Sequence, residues 1–146
     1  MFKKVSQFFA EVFAAADFRE SMRENDLVSA RERYSKFQDD EDPRLIAMGA
    51  RLHLMERNFN EARILLERAI SIASQKKGKR HRYICEYCKY YLSRMSGEED
   101  AEDIRLNALA MAPSRTLFDS LPLYQRDKFE DRNMVEAMRQ AEKMKP

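Results

Sequence analysis

Three stretches of the chain carry one pattern: N-D-L-V-S-A-R-E-R-Y-S-K-F at residues 25–37, R-N-F-N-E-A-R-I-L-L-E-R-A at 57–69 and G-E-E-D-A-E-D-I-R-L-N-A at 97–108. In each, a polar turn leads to an alanine, with a second small or aromatic residue seven positions on. The pairs are Ala30 and Phe37, Ala62 and Ala69, and Ala101 and Ala108. Seven residues are about two helical turns, so each pair lies on one stripe of a helix. Small side chains on such a stripe let a neighbouring helix approach closely. The pattern predicts an all-α chain of antiparallel helical hairpins.

The alanines at 30, 62 and 101 are spaced by 32 and 39 residues, which brackets the roughly 34-residue period of tetratricopeptide units. With Asn58, Phe59, Glu61, Ala62, Leu66, Ala69 and Ile72 in the second unit, and Ala101, Ala108 and Pro113 in the third, the chain resembles the tetratricopeptide repeat (TPR) family over residues 11–115. The resemblance implies a short solenoid of hairpins at about 11–42, 43–76 and 82–115 within a single domain spanning 1–146. The first helices depart from the family pattern. None begins with tryptophan, and Gly49 is the only glycine at the usual small position.

The 146 residues are 44% hydrophobic and 36% charged, the mixture expected of solvated amphipathic helices. A formal net charge of +2 does not by itself point to a polyanionic partner. Two cysteines in a helical region make no disulfide framework and fit a reducing, cytoplasmic setting.

The chain reads as helices near 2–24, 27–38, 44–57, 59–76, 81–96, 99–112 and 131–144. Asp26 and Asn58 are N-cap candidates, and Asn58 with Glu61 has the spacing of a capping box. Gly78 and Gly97 suit left-handed turns, and Pro43 and Pro113 mark helix boundaries. The start of the chain combines Lys3 and Lys4 with an apolar run, as a secretory signal does, but Gln7 and Glu11 interrupt it. Phe2, Val5, Phe9, Val12, Phe13 and Ala16 recur at helical spacing, which predicts an amphipathic helix docked on the first repeat, with a membrane-surface segment as the alternative. No stretch reaches the ~20 apolar residues of a membrane span. After Pro113, residues 116–146 are expected to cap the open end of the stack, their stripe of Met134, Val135, Met138, Ala141 and Met144 either buried or a docking surface.

Three groups bear on chemistry. His81, Cys85 and Cys88 share a helix face, and His53 has the chemistry to complete a zinc site. Ile84, Cys88, Tyr91 and Met95, however, form the core stripe of the same helix, so packing is the reading and neither metal nor cofactor is expected. The loop at 75–82 gathers Lys76, Lys77, Lys79, Arg80 and Arg82, whose charges suit nucleic-acid phosphates. The opposite charges at Glu98, Glu99, Asp100, Glu102 and Asp103 offer it partners within this molecule or a second copy.

The third group is a stripe of Tyr83, Tyr87, Tyr90 and Arg94, displaced from the core stripe. The TPR resemblance places it, with Arg51 and with Arg19 as a further candidate, on a concave groove for a peptide. Tyrosine supplies contact area with few rotors and arginine grips carboxylates, while half-buried packing between hairpins is the alternative. The family's carboxylate clamp of lysines and asparagines is not evident. With no Gly-rich phosphate loop, His-rich metal motif or framed Ser, His and Asp set, the expectation is a non-enzymatic adaptor that binds an unidentified protein or peptide, or itself. Nucleic-acid binding by the basic loop is the alternative.

Overall fold

The computed structural model describes residues 2–123 and 129–144, with side chains from 13 to 123 and from 132 to 144. The described residues form eight helices and no strand: α1 (Phe2–Arg23), α2 (Leu27–Tyr34), α3 (Pro43–Met55), α4 (Phe59–Ala73), α5 (Lys79–Met95), α6 (Ala101–Ala110), α7 (Arg115–Ser120) and α8 (Phe129–Lys143). α1 packs with α2, α3 with α4 and α5 with α6, and α4 joins the second pair to the third through α5. Among these, α7 lies in a stretch the sequence did not mark as helical.

The three within-pair turns share one geometry. In each, a residue in the left-handed region closes the preceding helix: Asn25 at φ 59°, Arg57 at φ 67° and Gly97 at φ 67°. The same hydrogen bonds recur around them. The N–H groups of Asp26, Asn58 and Glu98 reach back five residues to the carbonyls of Ser21, His53 and Ser93, at 2.8, 2.8 and 2.9 Å. The N–H groups of Asn25, Arg57 and Gly97 reach back three, to Met22, Leu54 and Arg94, at 3.0, 3.1 and 3.1 Å. This is the Schellman arrangement, which satisfies the last carbonyls of a helix. Only Gly97 has the residue type that adopts it without steric cost.

Helix starts are fixed by side chains. Asp26 Oδ1 accepts from the Ser29 N–H at 3.1 Å, as its N-cap reading requires. Asp42 Oδ1 accepts from the Arg44 N–H at 2.9 Å, with Pro43 in the first turn of α3. The expected capping box at Asn58 does not form: Asn58 makes no capping bond and turns its Nδ2 toward His53 Nδ1 at 3.5 Å.

The small-residue stripes are interior. Ala30, Ala62, Ala69 and Ala108 have no exposed surface, and Phe37 and Ala101 are buried with them. Gly49 permits the closest approach, because a Cβ added there would stand 2.5 Å from Tyr34 Cε2. Tyr34 in turn packs edge-on against Phe37 with ring centroids 5.4 Å apart. On α1 the buried residues are Ala14, Ala15, Phe18 and Met22. Phe13, expected on the docked stripe, is 65% exposed instead. Phe2, Val5, Phe9 and Val12 lie outside the residues with described side chains. No helix among the described residues is long and apolar enough to cross a membrane.

The C-terminal segment takes a different position from the one expected. α8 packs on α3, α5 and α1, and α7 on α3. It thus crosses the first helices of the pairs instead of closing the far end at α6. The physical reason lies in what each surface offers. The outer side of α6 carries Glu102, Asp103 and Asn107, all exposed, with Leu106 at 52% exposure, whereas α3 and α5 are apolar and aromatic across most of their circumference. Met134, Ala137, Met138 and Ala141 of α8 are buried there, while Met144 is exposed. Arg57 fastens this helix, its Nε donating to Gln140 Oε1 at 2.8 Å and its Nη1 to Asn133 O at 3.4 Å. The left-handed backbone of Arg57 therefore coincides with a side-chain anchor for α8.

Because Ala69 is fully enclosed between helices, Ala69→Leu is expected to destabilise the chain by about 1–3 kcal/mol through overpacking. Urea unfolding measures this, and an unchanged midpoint would remove the small-residue stripe from the account of the fold.

Candidate functional site

The face formed by α3 and α5 is where the residues chosen from the sequence converge. Tyr83, Tyr87 and Tyr91 follow one another at intervals of four along α5, so their rings form a row. Centroids are 6.3 Å apart for Tyr83 and Tyr87 and 4.9 Å for Tyr87 and Tyr91, with Tyr90 turned edge-on to Tyr91 at 5.0 Å. Arg51 projects from α3 onto this row. Its Nη1 donates to Tyr87 Oη at 2.6 Å, to Tyr91 Oη at 3.3 Å and to the carbonyl of Pro122 at 3.1 Å. Its guanidinium carbon also sits 5.9 Å from the centre of the Tyr87 ring.

The tyrosine row is covered by the chain itself. Leu121, Pro122 and Leu123, a non-helical stretch after α7, lie on the row and are buried. Tyr83 Oη donates to the Leu121 carbonyl at 2.6 Å, next to the carbonyl that Arg51 holds. Arg51 is 1% exposed, and Tyr83, Tyr87 and Tyr90 are buried as fully. The surface expected to stand open is thus an internal contact, because α5 is apolar on both of its stripes and the second found a cover in residues 121–123. Burial raises the Tyr87 and Tyr83 phenols well above the usual tyrosine range, with Arg51 pulling the other way. They remain neutral phenols, Tyr83 donating to Leu121 and Tyr87 accepting from Arg51. Burying the Arg51 cation costs several kcal/mol unless its N–H groups are met, and two phenols and a carbonyl meet those of Nη1, with a ring face beside the guanidinium carbon.

Arg94, the fourth member of the stripe, lies at the edge of this region. It faces Glu142 of α8 at 3.7 Å, and its Nε is buried without a hydrogen-bond partner among the described residues. Arg19 on α1 donates from Nη1 to Ser120 Oγ at 3.2 Å, so it too meets the C-terminal segment. The sequence reading missed Tyr91, which it assigned to the core alone, and the two carbonyls of Leu121 and Pro122. The proline in S-L-P-L, residues 120–123, was the available signal, since it stops a helix and fixes a non-helical stretch.

Elsewhere the candidate groups separate. Lys76, Lys77, Lys79, Arg80 and Arg82 are all exposed, with Arg80 3.9 Å from Asp42. Two of the acidic residues at 98–103 are engaged locally: Asp100 accepts from Ser93 Oγ at 2.6 Å, and Glu102 from Arg105 Nε at 3.0 Å. His53, His81, Cys85 and Cys88 do not assemble, as no group of three metal-ligating side chains occurs among the described residues. Burial raises both thiols above the usual cysteine range, which disfavours the thiolate that a metal needs. Comparison with protein-family models, with curated proteins and with solved structures returned no match.

Tyr83→Phe leaves the buried Leu121 carbonyl without its donor, and a cost of about 1–3 kcal/mol is expected. Chemical denaturation gives the total, and faster amide exchange confined to residues near 121 would locate it. His53 supplies a pH test. Burial, aided by Arg31 and opposed by Glu56 and Glu61, holds its imidazole below the ordinary histidine value. The unfolded chain therefore takes up this proton at about pH 6.5, before the folded one does. Stability is fully present above that pH and declines as pH falls below it. His53→Gln should flatten this part of the profile, and an unaltered slope would exclude His53 as its source.

Proposed function

We propose that this chain is a non-enzymatic interaction module of the tetratricopeptide type that holds a peptide segment of a partner protein on the face of α3 and α5. In this reading the pairs α1/α2, α3/α4 and α5/α6 are successive units of a short solenoid, and the C-terminal segment closes its concave face. The observation that carries the proposal is the grip on Leu121 and Pro122. Adjacent main-chain carbonyls are held by Tyr83 and Arg51, with leucines buried on either side of the proline. Bonds to main-chain carbonyls are available to any peptide, while the flanking apolar sites select its side chains. The ligand inferred from this grip is a non-helical segment of the form apolar–Pro–apolar, which must displace residues 121–123. Nucleic-acid binding remains the second reading, resting on the exposure of all five cations of the 75–82 loop. It requires affinity that falls steeply with added salt.

The test uses the full chain with Leu121→Asp and Leu123→Asp, since carboxylates resist burial on the tyrosine row. A labelled peptide of residues 117–125, L-F-D-S-L-P-L-Y-Q, should bind this variant at least tenfold more tightly than the unaltered chain, about 1.4 kcal/mol. Adding Arg51→Met should cancel that gain. Fluorescence anisotropy reads both, and a variant that keeps its helical circular dichroism yet binds no peptide would sink the proposal.

A further inference from the structure

A small recess of about 80 Å³ lies away from the tyrosine row, lined by Arg44, Arg80, Ser114, Thr116 and Leu117. It joins the first turn of α3, the first turn of α5 and the residues that lead into and begin α7. One feature of its walls lacks an explanation within the fold. Arg44 is partly buried, yet its Nε is enclosed without a hydrogen-bond partner among the described residues. A second guanidinium, Arg80, lines the same small space.

The nearby carboxylates answer these charges only in part, Asp42 pairing with Arg80 at long range. Asp42 Oδ1 is taken by the Arg44 main-chain N–H at 2.9 Å, and its Oδ2 stands 3.9 Å from Arg80. Asp40 Oδ1 is taken by the Asp42 N–H at 2.8 Å. Burial holds the Arg44 guanidinium below the usual arginine range. Asp42 and Asp40 oppose that, while Arg80 and Arg19 add to it. Two hydroxyls complete the lining. Ser114 Oγ accepts from the Leu117 N–H at 3.3 Å, which leaves its own O–H to donate, and Thr116 supplies a second hydroxyl. The recess therefore presents two guanidiniums and two hydroxyls to a space of about 80 Å³. Paired guanidiniums and hydroxyls are the chemistry that recognises phosphate oxygens.

We propose that this recess binds a phosphate-class oxyanion, with Arg44 and Arg80 holding its charge and Ser114 and Thr116 donating to its remaining oxygens. Such an anion would tie the start of α7 to α3 and α5. The site does not depend on the peptide reading, since neither Arg51 nor the tyrosine row takes part.

The experiment is a titration of the full chain with inorganic phosphate at fixed ionic strength, followed by amide chemical shifts and by melting temperature, with O-phosphoserine as a second arm. Saturable shifts are expected near residues 44, 80 and 114–117. Arg80→Gln, at an exposed side chain, should weaken binding at least tenfold. Arg44→Lys, which keeps the charge and loses the fork, should weaken it as well. The Lys76→Gln, Lys77→Gln pair should leave it unchanged. Saturation by phosphoserine identifies a monoester on a larger ligand, and saturation by inorganic phosphate alone identifies the free ion. Shifts that chloride reproduces, or binding that survives Arg80→Gln undiminished, would overturn the assignment.

Discussion

The structure depends on a buried cation. Arg51 is enclosed between α3, α5 and the 121–123 stretch, and its Nη1 meets oxygens from two of those three elements there. A cation in a low-dielectric interior is costly by several kcal/mol when any of its donors goes unmet. Removing the C-terminal stretch would strip the Pro122 carbonyl from Arg51 and the Leu121 carbonyl from Tyr83 together. The hairpins and the C-terminal segment are thereby coupled through one polar cluster inside an otherwise apolar contact.

That coupling explains why the C-terminal helix lies where it does. Apolar burial alone is undirected and would accept α8 on any exposed apolar face. Directional bonds select one position: Arg57 to Gln140, Arg94 facing Glu142, and Asn133 donating to Asn25 Oδ1 at 2.9 Å. Two of these anchors, Asn25 and Arg57, are the residues that take the left-handed conformation in their turns. An L residue held there costs roughly 1–2 kcal/mol, and the side chains of both reach α8. Gly97, at the equivalent place in the third turn, carries no side chain and makes no such tie.

The peptide and oxyanion proposals describe neighbouring parts of one segment. Residues 114–117 border the arginine recess, and residues 121–123, a little further along the chain, lie on the tyrosine row. Whatever holds the first part against α3 and α5 also limits how readily the second part leaves. An anion in the recess and a peptide on the row would then bind with opposing effects on each other, as linkage requires when one ligand stabilises the state that the other must displace.

Much of the local structure was legible in the sequence. The all-α class, the positions of seven of the eight described helices to within a few residues, the Asp26 cap and the Gly97 turn followed from helical periodicity and from residue types whose backbone preferences are local. The buried alanines were legible because a seven-residue spacing of small side chains has few other uses. What the sequence left open was the direction in which surfaces face. Periodicity placed Tyr83, Tyr87 and Tyr90 on a second stripe of α5, but a stripe has the same spacing whether water, a partner or the chain's own distant segment covers it. The cover is set by a contact 71 residues away along the chain, from Arg51 to Pro122. Likewise nothing local brings Arg44 beside Arg80. Local chemistry determined the helices and their turns, and tertiary packing alone decided which charged and aromatic side chains meet, because that choice rests on long-range burial and on hydrogen bonds whose partners no sequence window contains.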